Sequence, residues 1–146
     1  MKTIVFVCTG NTCRSIMAQG IFEKLVKEQG LTGQFAIKSA GIGANEEDAI
    51  SANAAKALEE IGIDKHSHHA HRLTMQDVAE ADILVPMTPS HAAAIVSADP
   101  EAINKIILLP RPVPDPFMGS LEVYRACRDD LKEQLITLLE ELCHER

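Results

Sequence analysis

The chain has 146 residues, of which 46% are hydrophobic and 24% charged, with a formal net charge of −7. That length suits one folded domain across residues 1–146, and the acidic balance excludes a general nucleic-acid or anionic-membrane surface, so any affinity for phosphate must be local. No apolar run nears the ~18 residues of a membrane span, the first residues lack a secretory leader, and four cysteines in such a chain point to a reducing, cytoplasmic setting and to chemistry instead of crosslinks.

Thr3 to Val7 is β-branched, aromatic and continuously apolar, which predicts a buried parallel strand. Ile16, Met17, Ile21, Phe22, Leu25 and Val26 recur at helical spacing, and Gly30 marks the stop. Between strand and helix lies Cys8-Thr9-Gly10-Asn11-Thr12-Cys13-Arg14-Ser15. A second strand is predicted over Phe35–Ser39, then a glycine-bearing loop from Ala40 to Asn45. Ser51 reads as the N-cap of a helix through Ile61 that Gly62 closes. His66 to Arg72 has no periodicity and is a connection, and Met75–Ala79 a short helix. A third strand is expected over Ile83–Met87, with Pro86 near its end, then a helix over Pro89–Ser97 and a fourth strand over Ile106–Leu109. Tyr124, Cys127, Leu131, Leu135, Leu138 and Leu142 trace one face of a helix over Leu121–Leu142. Alternating strands and helices predict an α/β fold with a four-stranded parallel sheet and right-handed crossovers. Such sheets bind ligands beyond the carboxyl ends of their strands, where Cys8 lies.

The loop after the first strand carries the clearest chemistry. Amides at a helix start lack partners and are partly positive, so they favour an anion. Gly10 permits a tight or positive-φ turn and Asn11 tolerates the left-handed region. Curled amides from Thr9 to Ser15 then make a nest for a phosphoryl group, on which Arg14 can fork. A helix N-terminus and a cation favour the thiolate form of a cysteine. Ser15 can hold that thiolate with a hydrogen bond. Cys8 so placed is a nucleophile for phosphorus, giving a phosphocysteine. The bland alternative is a core cysteine that ends a strand; Gly10, Arg14 and Ser15 at these spacings weigh against it.

Pro110 to Phe117 holds four of the seven prolines and should be a stiff loop at the same end of the sheet. Asp115 is its only acid. It can protonate a leaving group and then activate water, or it is a turn aspartate before proline.

On these residues the chain resembles the low-molecular-weight protein phosphatases. Cys8-x5-Arg14-Ser15 near the N-terminus, Ser39-Ala40-Gly41 and Asp115-Pro116-Phe117 all match, and the resemblance spans essentially the whole chain. It implies helices flanking a four-stranded sheet, Cys8 as nucleophile, Arg14 as phosphoryl clamp and Asp115 as acid then base. It also implies that Asn11 is held by Ser39 and by a histidine of the 66–71 stretch, with His68 favoured. Thr12 stands where tyrosine-directed members carry a bulky aliphatic residue, and it resembles the bacterial protein-arginine phosphatase branch. A threonine hydroxyl suits a planar, polar guanidinium better than a phenyl ring. Phe117 can stack on either group, and Asp115 can pair with a guanidinium. Ile16 and Met118 depart from the family, which often has proline at the first and a second aromatic at the other. The expected substrate is phosphoarginine in proteins, with phosphotyrosine the alternative.

Arsenate reductases share the fold and the loop but relay a disulfide through two further cysteines, and this chain has none between Cys13 and Cys127. A phosphocysteine carrier has no need of Arg14 or of an acid. A thiol redox sensor remains as regulation: Cys13 lies five residues after Cys8, within reach of a disulfide. Cys127 reads as core and Cys143 as an incidental thiol. No metal, cofactor, nucleic-acid or membrane partner is expected, and a monomer is. His66, His68, His69 and His71 fit no common ligand spacing. Glu133, Glu140, Glu141 and Glu145 read as a solvated face.

Overall fold

The computed structural model describes residues 1–144. Glu145 of the expected acidic face lies outside the described residues. The elements are β1 (Lys2–Cys8), α1 (Arg14–Glu28), β2 (Phe35–Gly41), α2 (Ala52–Glu59), α3 (Met75–Glu80), β3 (Ile83–Pro86), α4 (Pro89–Ala98), a 3₁₀ turn (Pro100–Lys105) and α5 (Leu121–His144). Among the described residues the sheet is parallel, in the order β2-β1-β3. The most apolar strand, β1, is therefore central.

Side chains alternate across β1 and feed two cores. Ile4, Phe6 and Cys8 join Met17, Ile21 and Phe22 of α1, Leu58 of α2, and Leu131, Leu135 and Leu138 of α5. Val5 and Val7 join Val78 of α3, Ile95 of α4 and Ala102 of the 3₁₀ turn on the other face. Phe22 meets Phe6 and Phe35 edge-on, with ring centroids 5.5 and 5.6 Å away. Arg125 and Arg128 of α5 grip Glu60 at the end of α2, and the hydrogen bond from Arg125 is the largest cause of a carboxyl pKa lowered to about 2.

Helix boundaries follow their caps. The Ser51 hydroxyl accepts the Ala54 N–H, Thr88 accepts that of His91, and Gly30 and Gly62 take φ of 70° and 82° beyond α1 and α2. Two expectations need correction. The second strand runs on to Gly41, pairing Val7 with Ala40 and Cys8 with Gly41, so it reaches the functional loop. The predicted fourth strand over Ile106–Leu109 is reduced to a parallel bridge between Leu84 and Ile106, with Ile107 N–H donating to the Leu84 carbonyl at 3.0 Å. In a parallel ladder the next donor to Ile107 would be residue 86. That residue is Pro86, which has no N–H, so the pairing stops. The described helices include none long and apolar enough to cross a membrane.

Phe22 is fully buried at the centre of the aromatic cluster. Phe22→Ala should cost about 3–5 kcal/mol of stability, measured as a lower urea midpoint at unchanged slope.

Candidate active site

Strand β1 ends on Cys8 and α1 begins at Arg14, so residues 9–13 must turn back within one short loop. Helix α1 has no side-chain cap at Cys13 and no acid in its first turn. Its first amides and its positive dipole end are left open to an anion. Asn11 takes the left-handed conformation, at φ 56°, as expected of it, while Gly10 stays out of that region. Gly41 is the glycine this loop requires. A Cβ there would stand 2.5 Å from the Thr9 carbonyl oxygen and 2.9 Å from the Asn11 nitrogen.

Asn11 is 0% exposed and all its polar groups are engaged. The His71 main-chain N–H donates to Asn11 Oδ1 at 2.8 Å, which fixes the orientation of the amide. Asn11 Nδ2 then donates to Ser15 Oγ at 2.8 Å and to Ser39 Oγ at 3.0 Å. Ser39 passes its own hydrogen to Gln19 Oε1 at 2.6 Å. His68 Nε2 donates to the Asn11 carbonyl at 2.9 Å, and burial lowers the pKa of this histidine, which keeps it neutral. Ser15, having accepted from Asn11, has its hydrogen free for Cys8 Sγ, 2.9 Å away. The Asn11 N–H donates to the same sulfur at 3.3 Å. Two donors thus converge on the Cys8 sulfur.

Arg14 is buried. Its Nη1 donates to the Val113 carbonyl at 3.1 Å, and its Nη2 lies 3.7 Å from Asp115 Oδ2. One guanidinium, from the start of α1, therefore holds the proline-rich loop at two points. The Asp115 side chain is 53% exposed, and its Oδ1 accepts the Phe117 N–H at 3.0 Å. Phe117 itself is 64% exposed, and Met118 after it takes φ 67°. Thr12 is half-buried, its main-chain carbonyl accepting the Ser51 N–H at 3.0 Å. Cys13 is buried with its sulfur 3.3 Å from the Tyr124 hydroxyl, whose pKa burial and Cys13 push up to about 12.

Sequence reasoning missed several members of this assembly. His91, buried on α4, spans Thr9 Oγ1 and Thr88 Oγ1, each at 2.9 Å, and burial and then Arg14 lower its pKa against the pull of Asp115. Gln19 and the His71 amide were also unforeseen; neither sits in a spacing pattern with Asn11. Of the remaining histidines, His71 pairs with Glu46 and Asp77, and His66 with Glu59.

Residues 3–146 match the family model for low molecular weight phosphotyrosine protein phosphatase. A protein-arginine-phosphatase of Bacillus subtilis (strain 168) is 35% identical over 98% of each chain. Arsenate reductase 1 of Staphylococcus epidermidis is 40% identical over 71% of this chain and 72% of its own. Among solved structures, the YwlE arginine phosphatase, as a cysteine-to-serine mutant with phosphorylated active site serine, superposes with a TM-score of 0.93 at 34% identity, covering 99% of this chain and 97% of that one.

Gly41→Ala should displace the Thr9 and Asn11 backbone. A shift near 1 Å at a reacting group costs about 100-fold, so turnover of 4-nitrophenyl phosphate should fall by about that factor while the melting temperature falls by only a few degrees.

Proposed function

The chain belongs to the low molecular weight phosphotyrosine protein phosphatase family, a cysteine-dependent enzyme acting on phosphorylated proteins, and from that premise we propose that its substrate is phosphoarginine in proteins. In this reading the Cys8 thiolate attacks phosphorus in line with the scissile P–N bond. The loop amides and the Arg14 guanidinium bind the equatorial oxygens, where negative charge gathers. Asp115 delivers its proton to the departing guanidino nitrogen as that bond breaks, leaving phosphocysteine and the arginine guanidinium. The Asp115 carboxylate then takes a proton from water, whose oxygen displaces sulfur and releases inorganic phosphate. The solved relative with phosphate on the residue replacing its cysteine supports the covalent step.

The observation that carries the choice of phosphoarginine is Thr12. Among the described residues its hydroxyl meets one weak partner, the Cys13 sulfur at 3.7 Å, so it is available to a polar leaving group. Once its proton has passed to the leaving nitrogen, the exposed Asp115 carboxylate is a partner for the departing guanidinium. Relatives named protein-arginine-phosphatase lend support. Phosphotyrosine is the second reading, favoured by the exposed Phe117 ring, which can stack on phenol. A disulfide relay of the arsenate reductase kind finds little support, because burial pushes the Cys127 thiol up to about 12 and α5 holds it in the core. The reading takes the enzyme to be a cytoplasmic monomer whose charge of −7 turns away nucleic acid.

Cys8 and Cys13 are both free thiols here, and we take the pair as a reversible switch. Peroxide converts Cys8 to a sulfenic acid with release of water; Cys13 then attacks that sulfur and a second water leaves.

Wild-type protein should release phosphate faster from phosphoarginine than from phosphotyrosine peptides. Thr12→Ile should move that ratio at least about tenfold toward phosphotyrosine, on the scale of one hydrogen bond; a ratio unmoved, or favouring phosphotyrosine at the outset, rejects the assignment. Activity lost to peroxide should return with dithiothreitol in wild type, and return poorly in Cys13→Ser, which lacks the resolving thiol.

A further inference from the structure

Residues 110–116 read Pro-Arg-Pro-Val-Pro-Asp-Pro. Proline has no amide hydrogen, so only Arg111, Val113 and Asp115 can donate from the main chain here. Two of these amides tie the loop to the body of the protein. Val113 N–H donates to the Met87 carbonyl at 2.9 Å. Arg111 N–H donates to the side chain of Gln134, at Oε1, 2.8 Å away.

Gln134 is out of place by the logic of its helix. It is 1% exposed, on the face of α5 that carries Leu131, Leu135 and Leu138 into the core. An apolar residue of similar volume would serve that core with no polar group to satisfy. The amide is instead fully engaged: Nε2 donates to Asp130 Oδ2 at 2.8 Å, and Asp130 Oδ1 accepts Arg111 Nη2 at 2.6 Å. Arg111 amide, Gln134, Asp130 and Arg111 guanidinium close a ring. Asp115 lies four residues beyond this ring, with the Val113 tether between.

We propose that Gln134 is a positioning residue for Asp115, the ring it forms with Asp130 and Arg111 being a latch that fixes the root of the proline-rich loop. The inference rests on the reading of Asp115 as the proton donor. The prolines restrict the angles within the loop and the latch sets where it starts, so a lost latch lets the stiff arm pivot about the Val113–Met87 bond and Asp115 moves with it. The cradle keeps its own support, the bonds of Asn11 to Ser15, Ser39, His68 and His71, none of which involves the proline-rich loop.

The test is kcat/KM on aryl phosphates with leaving groups from 4-nitrophenol to phenol. A poor leaving group needs the proton that Asp115 supplies, whereas a good one departs without it. Gln134→Leu, which keeps the core volume, should lower kcat/KM about tenfold on phenyl phosphate and about twofold on 4-nitrophenyl phosphate, part of the 10²–10⁴ that a positioned acid contributes. Asp115→Asn should steepen the leaving-group dependence further, and adding Gln134→Leu to it should cost nothing more. Asp130→Ala opens the same ring from the surface and should shift the dependence in the same direction, which keeps the test intact if Gln134→Leu folds poorly. An equal loss on all substrates, or a wild-type slope in both latch variants beside a steep Asp115→Asn, overturns the latch. A wild-type slope in Asp115→Asn itself overturns the proton-donor assignment and the latch with it.

Discussion

The candidate active site hangs on one buried amide, that of Asn11. Holding a non-glycine residue at φ 56° costs on the order of 1–3 kcal/mol. Asn11 makes its return through bonds to Ser15, Ser39, His68, His71 and Cys8, each worth about 1 kcal/mol net and more when its removal strands a buried partner. Together the five exceed the strain. The network also has a direction. Because a main-chain N–H can only donate, His71 sets which end of the amide faces it, and every later hydrogen follows: amide to Ser15, Ser15 to sulfur.

Direction matters more here than bond count. Donors converge on the Cys8 sulfur, and the open amides at the start of α1 favour an anion. The chain supplies both from main-chain amides, two serines and one asparagine, held between β1, β2 and α1. Gly41 belongs to the same design, since it lets β2 run close enough for the Gly43 N–H to bond Thr9 and for Ser39 to reach Asn11. His91 supports the outer side of the loop from α4 through Thr9.

The second half of the site is built by a different principle. Four prolines restrict the loop that carries Asp115, and Arg14 joins that loop to the cradle. A cradle held by hydrogen bonds and an arm held by ring closure are both rigid, but only the arm is anchored at a few points. The location of each anchor therefore matters to where the carboxylate stands.

How much of this was legible follows the range of each interaction. Strand β1, helices α1, α2 and α5, and the loop from Cys8 to Ser15 could be read directly, because period, caps and spacing are properties of neighbouring residues. The resemblance added Ser39 and His68 beside Asn11. The fourth strand was misjudged because its pairing depends on a donor that Pro86 lacks on another strand, invisible in the apolar run of Ile106–Leu109 itself. Gln134 passed as one more position on an amphipathic helix, and His91 as a helix residue after a proline.

By itself the sequence determined the α/β class, the place of Cys8 at a strand-to-helix turn, and a proline-rich loop bearing one acid. Only the tertiary structure decided which side chains hold those parts in place. Thr9 meets His91 across 82 residues, and Arg111 meets Gln134 across 23. Such pairings leave no periodic trace along the chain, because they are chosen by the packing of elements and by the demand that every buried polar group find a partner.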